Sequence, residues 1–270
     1  MSSESPLLRP GEGFVPFFAG LRTAPRRALL LDYDGTLAPI SARRASAAPY
    51  RWVRPALRSI AAAVRPTRIG IVSGRPIAEL RRLAGLGNVA ELWGSHGLER
   101  LTLEGCWIGP PPKKDAAEFL ERVSASMAEL GWRALLERKP YGLALHGRGA
   151  PPEEFADAES ELIESWSEAA HDFGLELLGF DGGVELRPEG PGKAMVVRTV
   201  LDELGPGASI AYLGDDLTDE DAFGALADRG LAVLVRSEPR PTKAAAWIRS
   251  PEELRRFLGD WNRACSEDRA

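Results

Sequence analysis

Short, uninterrupted apolar runs, each followed by polar residues, limit the fold of this 270-residue chain more than any other feature. Continuous apolar runs are typical of strands buried on both faces of a parallel sheet. Amphipathic stretches of helical period separate them, which predicts a doubly wound α/β core. In such a core, ligands bind beyond the carboxyl ends of the strands. The predicted strands are 28–31, 69–72, 210–213 and 232–235, and the predicted helices are 55–63, 77–83, 193–204 and 219–228.

The middle of the chain has a different pattern. Residues 104–183 combine two long helical stretches with short strand-like segments. We expect them to form a smaller α+β domain, inserted into a core that consists of residues 26–103 and 184–270. The elements predicted for the insertion are helices at 115–130 and 153–173 and strands at 133–138, 141–147, 175–178 and 183–187.

Composition excludes several classes of protein. Lys plus Arg number 34 and Asp plus Glu number 39, and the resulting net charge of −5 argues against a nucleic-acid-binding protein. Two cysteines are too few for a disulfide framework or a Cys-rich zinc site. No apolar run reaches the roughly 18 residues of a membrane span. Residues 1–25 are expected to be a loose leader, although Phe14, Phe17 and Phe18 suit the buried side of a short helix, and they show no secretion signal. We therefore expect a cytoplasmic protein without nucleic-acid or membrane partners. The composition carries no signal of oligomeric state, and a monomer is the working expectation.

Acidic residues follow two of the predicted strands. Residues 32–36 read Asp-Tyr-Asp-Gly-Thr, and residues 214–220 read Gly-Asp-Asp-Leu-Thr-Asp-Glu. Carboxylates gathered at strand ends are costly unless a cation compensates their charge. Oxygen ligands with no Cys and few His nearby favour Mg²⁺. Helix capping is the alternative interpretation, and it explains a single acid such as Glu220 or Asp221 better than it explains two clusters.

Two further segments suit a phosphoryl group. Ser73 begins the sequence Ser-Gly-Arg-Pro after the second predicted strand, where a hydroxyl and main-chain amides can bind a phosphoryl oxygen. An ordinary helix cap would have the same sequence. Lys193 follows Gly-Pro-Gly at the start of a predicted helix and can place a positive charge on a phosphoryl group. The segment is not a P-loop, because its glycine spacing differs and Ala194 stands where Ser or Thr is required.

Taken in order, these motifs resemble the haloacid dehalogenase superfamily of phosphotransferases. The resemblance rests on Asp-x-Asp-Gly-Thr, Ser-Gly-Arg, a lysine and Gly-Asp-Asp-x-x-Asp, and it covers the whole predicted core. It implies a Rossmann-like core, Mg²⁺ as cofactor and hydrolysis through an aspartyl-phosphate. The insertion between the second and third motifs resembles the α/β cap of the sugar-phosphatase branch.

Further motifs are similar to those of the trehalose-6-phosphate phosphatases within that superfamily. They are Gly-Ser-His-Gly-Leu-Glu at 94–99, Glu-x-Lys at 137–139, His-x-Arg at 146–148, Glu-Leu-Arg-Pro at 185–188 and Gly-Asp-Asp-Leu-Thr-Asp-Glu-Asp-Ala-Phe at 214–223. Two positions depart from the family pattern. Ala194 stands where Gly is usual, and Gly147 stands where an aromatic residue is common. The resemblance implies a trehalose 6-phosphate phosphatase of trehalose biosynthesis, with a small sugar phosphate as its binding partner.

The resemblance also implies a role for each matched residue. Asp32 would be the nucleophile, Asp34 the general acid and base, and Ser73 and Lys193 the groups that hold phosphoryl oxygens. The implied metal ligands are Asp32, the main-chain carbonyl of Asp34, and Asp215, steadied from outside by Asp216 and Asp219. The residues implied to bind the sugar phosphate are Arg75, His96, Glu99, Glu137, Lys139, His146, Arg148 and Glu185. Ordinary salt bridging is the alternative interpretation for this last group.

Other functions stay open at this point. Phosphatases of sucrose, mannosylglycerate or glucosylglycerol phosphate would use the same chemistry, and only a substrate panel separates them. A receiver module that carries a phosphorylated Asp without turnover is a non-enzymatic alternative, but it needs neither the insertion nor the second Asp. The Gly-x-Gly-x-x-Ala match at 85–90 follows a predicted helix rather than a strand, which argues against a dinucleotide site.

Overall fold

The computed structural model describes residues 8–9, 14–41, 46–111, 113–190 and 192–266. Contacts divide the chain into two compact units. The core unit comprises Met1–Ile108 and Gly192–Ala270, and the inserted unit comprises Gly109–Pro191. Among the described residues, no helix is both long enough and apolar enough to cross a membrane.

Twelve strands and eight α-helices lie within the described ranges. The strands are β1 (Arg27–Asp32), β2 (Arg68–Val72), β3 (Glu91–Gly94), β4 (Glu99–Leu101), β5 (Trp107–Ile108), β6 (Leu136–Arg138), β7 (Leu143–His146), β8 (Leu175–Phe180), β9 (Gly183–Pro188), β10 (Ser209–Gly214), β11 (Leu231–Val235) and β12 (Ala246–Ile248). The helices are α1 (Val15–Thr23), α2 (Val53–Ala61), α3 (Ile77–Ala84), α4 (Lys114–Glu129), α5 (Pro152–His171), α6 (Lys193–Leu204), α7 (Glu220–Leu226) and α8 (Glu252–Ser266).

The core unit is built on an eight-stranded sheet of order β12-β11-β10-β1-β2-β3-β4-β5. The strands from β12 to β3 are parallel, and β4 and β5 continue the sheet in antiparallel fashion. Every residue of β1 and of β11 is buried, as expected for apolar runs covered on both faces. The four strands predicted from these runs are all present in the sheet.

Helices cover both faces of this sheet. Because successive side chains of a strand point to opposite faces, Leu29 and Leu31 of β1 join one apolar cluster while Ala28 and Leu30 join another. The first cluster includes residues of α2, α3 and α8, and the second includes residues of α6 and α7. The doubly wound α/β prediction is therefore confirmed.

The predicted leader overlaps helix α1. Residues 1–7 and 10–13 of that leader lie outside the described residues. Phe14 is buried, and the rings of Phe14 and Phe18 lie 5.6 and 5.4 Å from the ring of Phe257 in α8. The prediction of a short helix held by these phenylalanines is confirmed. Residues 14–25 are thus a packed part of the core unit and not a loose segment.

The inserted unit has a four-stranded antiparallel sheet of order β6-β7-β9-β8, with α4 and α5 packed on its apolar face. Three details differ from the sequence prediction. Residues 104–108, expected in the insertion, belong to the core unit, where β5 is the last strand of the sheet. The segment Trp132–Leu135 is a 3-10 helix, and only Leu136–Arg138 of the expected strand pairs with β7. The predicted boundary at residue 183 falls within β9, which pairs with β7 and β8. The unit therefore extends to Pro191.

Candidate active site

Three neighbouring strands of the core unit bring the predicted catalytic residues to one edge of the sheet. Strand β1 lies between β2 and β10 and ends at Asp32. Ser73 directly follows β2, and Asp215 directly follows β10. The carboxyl ends of adjacent parallel strands meet at the edge where open α/β sheets bind their ligands.

A buried ion cluster lies at this edge. The Lys193 ammonium at the start of α6 donates to Asp32 Oδ1 at 2.6 Å and to Asp219 Oδ1 at 2.8 Å. All three side chains are 5% exposed or less. Lys193 lies 161 positions from Asp32 in the sequence, so only the fold brings these charges together.

Burial and mutual repulsion govern the ionisation of this cluster. Burial raises the pKa of Asp32 above its ordinary value and the charge of Asp219 adds to this effect, whereas Lys193 opposes it. Burial also raises the pKa of Asp215, with Asp32 and Asp219 adding to the shift. Burial alone would lower the pKa of Lys193, but Asp219 and Asp32 raise it above its ordinary value, so this side chain stays an ammonium. The cluster is therefore richer in carboxylates than in compensating positive charge.

The same carboxylates fit a divalent cation. One oxygen each of Asp32, Asp215 and Asp219 lie within 4.8 Å of one another. Buried carboxylate oxygens that outnumber the neighbouring ammonium groups match the preference of Mg²⁺ for hard, anionic ligands. Asp219 differs from the other two, because its oxygens already accept four hydrogen bonds. The donors are Lys193 Nζ, the Tyr212 hydroxyl at 2.6 Å, and the main-chain amides of Asp215 at 3.1 Å and Asp216 at 3.0 Å.

Gly35 allows the two acidic loops to approach each other. Its φ of +85° lies in the left-handed region, which favours glycine. A Cβ atom at this position would lie 1.9 Å from Asp215 Oδ2. The glycine of the Asp-x-Asp-Gly-Thr motif is therefore required by both the backbone and the available space.

The segment after β2 packs against the segment after β3. Ser73 N donates to Trp93 O at 2.8 Å, and Ser73 O accepts from His96 N at 3.0 Å. The imidazole of His96 lies over Gly74, where an added Cβ would approach Nε2 to 2.6 Å. His96 and the preceding Ser95 both have positive φ, at +57° and +48°, which non-glycine residues adopt at a cost in free energy. The structure therefore brings His96 next to Ser73, as expected for residues of one site.

Arg75 makes contacts that the sequence did not indicate. Its Nε and Nη2 donate to Asp34 Oδ2 and Oδ1 at 2.6 and 2.7 Å, and its Nη1 donates to Glu79. The Arg75 side chain is 1% exposed, whereas Asp34 is 34% exposed. The expected substrate ligand is thus bound to the expected general acid of the same chain.

Two other predicted site residues have structural contacts. Glu99 Oε2 accepts from Ser95 Oγ at 2.7 Å and from Ile77 N at 3.3 Å, which ties the start of β4 to the first turn of α3. Asp216 Oδ1 accepts from Leu217 N at 2.6 Å and caps the 3-10 helix Leu217–Asp219. Capping, the alternative considered for single acids, accounts for the contact of Asp216. Glu99 makes hydrogen bonds within the chain that neither sugar binding nor salt bridging anticipated.

Four of the predicted sugar-binding residues share one face of the inserted sheet. Glu137 and Glu185 flank Ala144 in register, and the alternation of side chains puts Lys139 and His146 on the same face. Lys139 Nζ donates to Glu185 at 2.7 Å, and His146 Nε2 lies 2.7 Å from Glu137 Oε2. Arg148, the fifth predicted residue of this unit, is exposed and donates to the main-chain oxygen of Asp181.

Sequence reasoning missed three residues that hold the acidic loop after β10. The Tyr212 hydroxyl donates to Asp219, Arg236 Nη1 donates to Asp215 O at 3.1 Å, and Arg240 Nη2 donates to Asp216 O at 2.7 Å. A tyrosine in a buried aliphatic strand is a signal in itself, because its hydroxyl needs a partner. Nothing in the local sequence distinguishes the two arginines from the other basic residues of the chain.

This chain has the fold of the haloacid dehalogenase-like hydrolases. A haloacid dehalogenase-like hydrolase from Bacteroides thetaiotaomicron shares the fold, with a TM-score of 0.59, 16% identity, and coverage of 87% of this chain and 98% of its own. The C-terminal domain of the trehalose-6-phosphate phosphatase of C. albicans is more similar, with a TM-score of 0.78, 25% identity, and coverage of 96% of this chain and 99% of its own.

Sequence comparison narrows the class to one family. The model of the trehalose-phosphatase family matches residues 30–251, and the chain therefore belongs to this family. A trehalose-phosphate phosphatase of Mycobacterium marinum is 33% identical over 251 residues, which are 88% of this chain and 62% of that protein. This chain thus spans less than two thirds of the length of that relative. The resemblance found in the sequence motifs is confirmed.

Proposed function

We propose that this chain hydrolyses trehalose 6-phosphate to trehalose and phosphate, with Mg²⁺ as cofactor and through an aspartyl-phosphate on Asp32. The observation that carries the proposal is the buried cluster of Asp32, Lys193, Asp215 and Asp219 at the ends of β1 and β10. Uncatalysed hydrolysis of phosphate monoesters is among the slowest reactions known. Positioned charge supplies most of the acceleration in phosphoryl transfer, and this cluster supplies positioned charge of both signs.

In the proposed reaction, a carboxylate oxygen of Asp32 attacks phosphorus in line with the departing sugar oxygen. The phosphorus–oxygen bond to the sugar breaks, Asp34 donates a proton to that oxygen, and trehalose leaves. Water then attacks the phosphorus of the acyl phosphate while Asp34 accepts its proton, so that phosphate is released and the Asp32 carboxylate is restored. Lys193 and Ser73 hold phosphoryl oxygens during both steps.

The magnesium site would be formed by Asp32, Asp215 and the main-chain carbonyl of Asp34. When bound, the ion supplies positive charge to the phosphoryl oxygens and offsets the repulsion among the carboxylates. Asp219 would not contact the ion, since its hydrogen bonds to Lys193 and to the two amides of the loop give it a positioning role.

The proposed sugar-binding surface is the charged face of the inserted sheet. Sugar hydroxyls both donate and accept hydrogen bonds, and the pairs Glu137–His146 and Lys139–Glu185 offer both kinds of partner on one face. Membership of the trehalose-phosphatase family supports trehalose as the sugar. The nearest alternative substrates are the phosphates of sucrose, mannosylglycerate and glucosylglycerol.

The test is phosphate release from these four sugar phosphates, measured with Mg²⁺ and with EDTA. Release from trehalose 6-phosphate alone, abolished by EDTA, is the expected result. Release from another member of the panel would keep the chemistry and reject the substrate. Asp32→Asn should retain its fold, as judged by circular dichroism, and lose turnover. Asp221 is an exposed acid at the start of α7, and the control variant Asp221→Asn should keep its turnover. An Asp32→Asn variant that keeps more than a few per cent of the activity would reject the nucleophile.

A further inference from the structure

We infer that Arg75 is the positioning residue for Asp34 and does not bind the substrate. The inference rests on the proposed function, because it concerns the group that protonates the leaving oxygen. Its basis is a side-on pair in which Arg75 Nε and Nη2 donate to the two oxygens of Asp34 at 2.6 and 2.7 Å. Two parallel hydrogen bonds of this kind fix the orientation of a carboxylate as well as its distance.

The placement of Arg75 leaves it poorly able to reach a substrate. Its side chain is 1% exposed, and the two carboxylates that it binds, Asp34 and Glu79, are 34% and 26% exposed. The guanidinium therefore lies beneath the carboxylates, with Nη1 on Glu79 and the other two donors on Asp34. The carboxylate of Asp34 lies on the exposed side of the guanidinium, so its oxygens are the atoms that a leaving oxygen would meet.

Glu79 explains how the arrangement can be kept while Asp34 works. Proton donation requires that at least one oxygen of Asp34 turn from Arg75 to the leaving group. Glu79 lies in the first turn of α3, four residues after Arg75, and holds Nη1 independently of Asp34. The guanidinium thus stays in place during the reaction, and the carboxylate returns to the same position after each turnover.

The role of Arg75 has a kinetic signature that depends on the leaving group. A sugar alkoxide needs protonation to leave, whereas p-nitrophenolate does not. Loss of general acid catalysis costs a factor of about 10²–10⁴, so for Arg75→Met we expect kcat for trehalose 6-phosphate to fall at least ~10-fold. The rate of p-nitrophenolate release in the first turnover should fall less than about threefold, because binding and attack by Asp32 are retained and the step in which Asp34 accepts a proton from water comes after this release.

Two matched variants separate this role from others. Asp34→Asn should show the same leaving-group dependence, and Arg75→Met added to Asp34→Asn should lower kcat no further, since both changes remove one function. Arg54→Met is the structural control. Arg54 also holds α3, but among the residues that the structure describes its guanidinium donates to the main-chain oxygens of Leu83 and Ala84 rather than to a carboxylate. Arg54→Met should lower the melting temperature without changing the ratio of the two first-turnover release rates.

The outcomes distinguish the inference from the proposed function. A raised KM for trehalose 6-phosphate with unchanged kcat would assign Arg75 to the substrate and overturn the inference. An equal loss in the first-turnover rate of leaving-group release from both substrates would also overturn it, because a purely structural role has that effect. If Arg75→Met does not fold, the same comparison is made between Asp34→Asn and the double variant, in which residue 34 is neutral and the 26% exposed Glu79 loses Arg75. A further loss in the double variant overturns the inference. A wild-type protein that hydrolyses neither compound rejects the proposed function itself.

Discussion

The Tyr212 hydroxyl provides a direct test of the energetics of the ion cluster. It is fully buried and donates to Asp219 Oδ1 at 2.6 Å. Burial raises the pKa of Tyr212 above its ordinary value and the charge of Asp219 adds to this effect, so the hydroxyl stays protonated and acts as a donor. Tyr212→Phe removes this one hydrogen bond and leaves the ring in place.

The expected size of the effect follows from the charge of the acceptor. A hydrogen bond to a charged group contributes about 1.5–3 kcal/mol to stability, and one to a neutral group about 0.5–1.5 kcal/mol. Tyr33 offers the neutral comparison, because it is equally buried and its hydroxyl donates to Ala47 O at 2.8 Å. We expect Tyr212→Phe to lower the free energy of unfolding by about 2 kcal/mol and Tyr33→Phe by about 1 kcal/mol.

The assay is urea denaturation of both variants and the wild type, without metal and at neutral pH. The direction in which the contribution of Tyr212 to the free energy of unfolding changes with pH follows from its raised pKa. Because folding raises the pKa of Tyr212, its contribution is complete below the ordinary tyrosine pKa of about 10 and is lost as the pH rises further. The difference between wild type and Tyr212→Phe should therefore shrink above that pH. A loss in Tyr212→Phe no larger than that in Tyr33→Phe would refute the account of Asp219 as a charged acceptor.

Three further predictions concern activity. Gly35→Ala should abolish phosphate release, because its Cβ would lie 1.9 Å from an Asp215 oxygen; activity within a few-fold of wild type would show that the loops can separate. Arg240→Ala removes the hydrogen bond to the main-chain oxygen of Asp216. Because the loss of a residue that orients metal ligands weakens metal binding about tenfold or more, the Kd for Mg²⁺ measured by calorimetry should rise about tenfold. An unchanged Kd would contradict this role of Arg240. Lys139→Met should raise KM for trehalose 6-phosphate at least ~10-fold and leave that for p-nitrophenyl phosphate unchanged, since remote sugar contacts contribute only to the sugar substrate. The control is Lys114→Met, because the Lys114 side chain is 91% exposed and lies outside the predicted site. Equal effects of Lys139→Met on the KM values of both substrates would remove Lys139 from the sugar site.

The core was predictable because strand burial and strand-end chemistry are local properties of the sequence. The run at 28–31 is continuous and apolar, and it is the interior of a fully buried strand. Helix α6 occupies the predicted range, 193–204. Strand β12 was not predicted, since it is only three residues long and its pairing with β11 is not a local signal.

The partners of charged side chains were less predictable than their positions. Arg75 was expected at a strand end and is found there, but the direction of its guanidinium depends on Asp34, 41 residues earlier. Glu99 was expected to bind sugar on the strength of its motif, whereas its oxygen binds Ser95 and the first turn of α3. Such choices depend on side-chain directions between neighbouring strands, which a single sequence does not specify.

Asp32 carries the phosphoryl group in the proposed reaction, and the most direct test of this role is to trap the aspartyl-phosphate. Trehalose 6-phosphate and Mg²⁺ are mixed with the protein, the reaction is quenched in acid within one turnover, and the peptides are analysed by mass spectrometry. We expect the mass of one phosphoryl group on the peptide that contains Asp32, and none in Asp32→Asn. Full turnover by the wild type with the phosphoryl group on another residue would contradict the account.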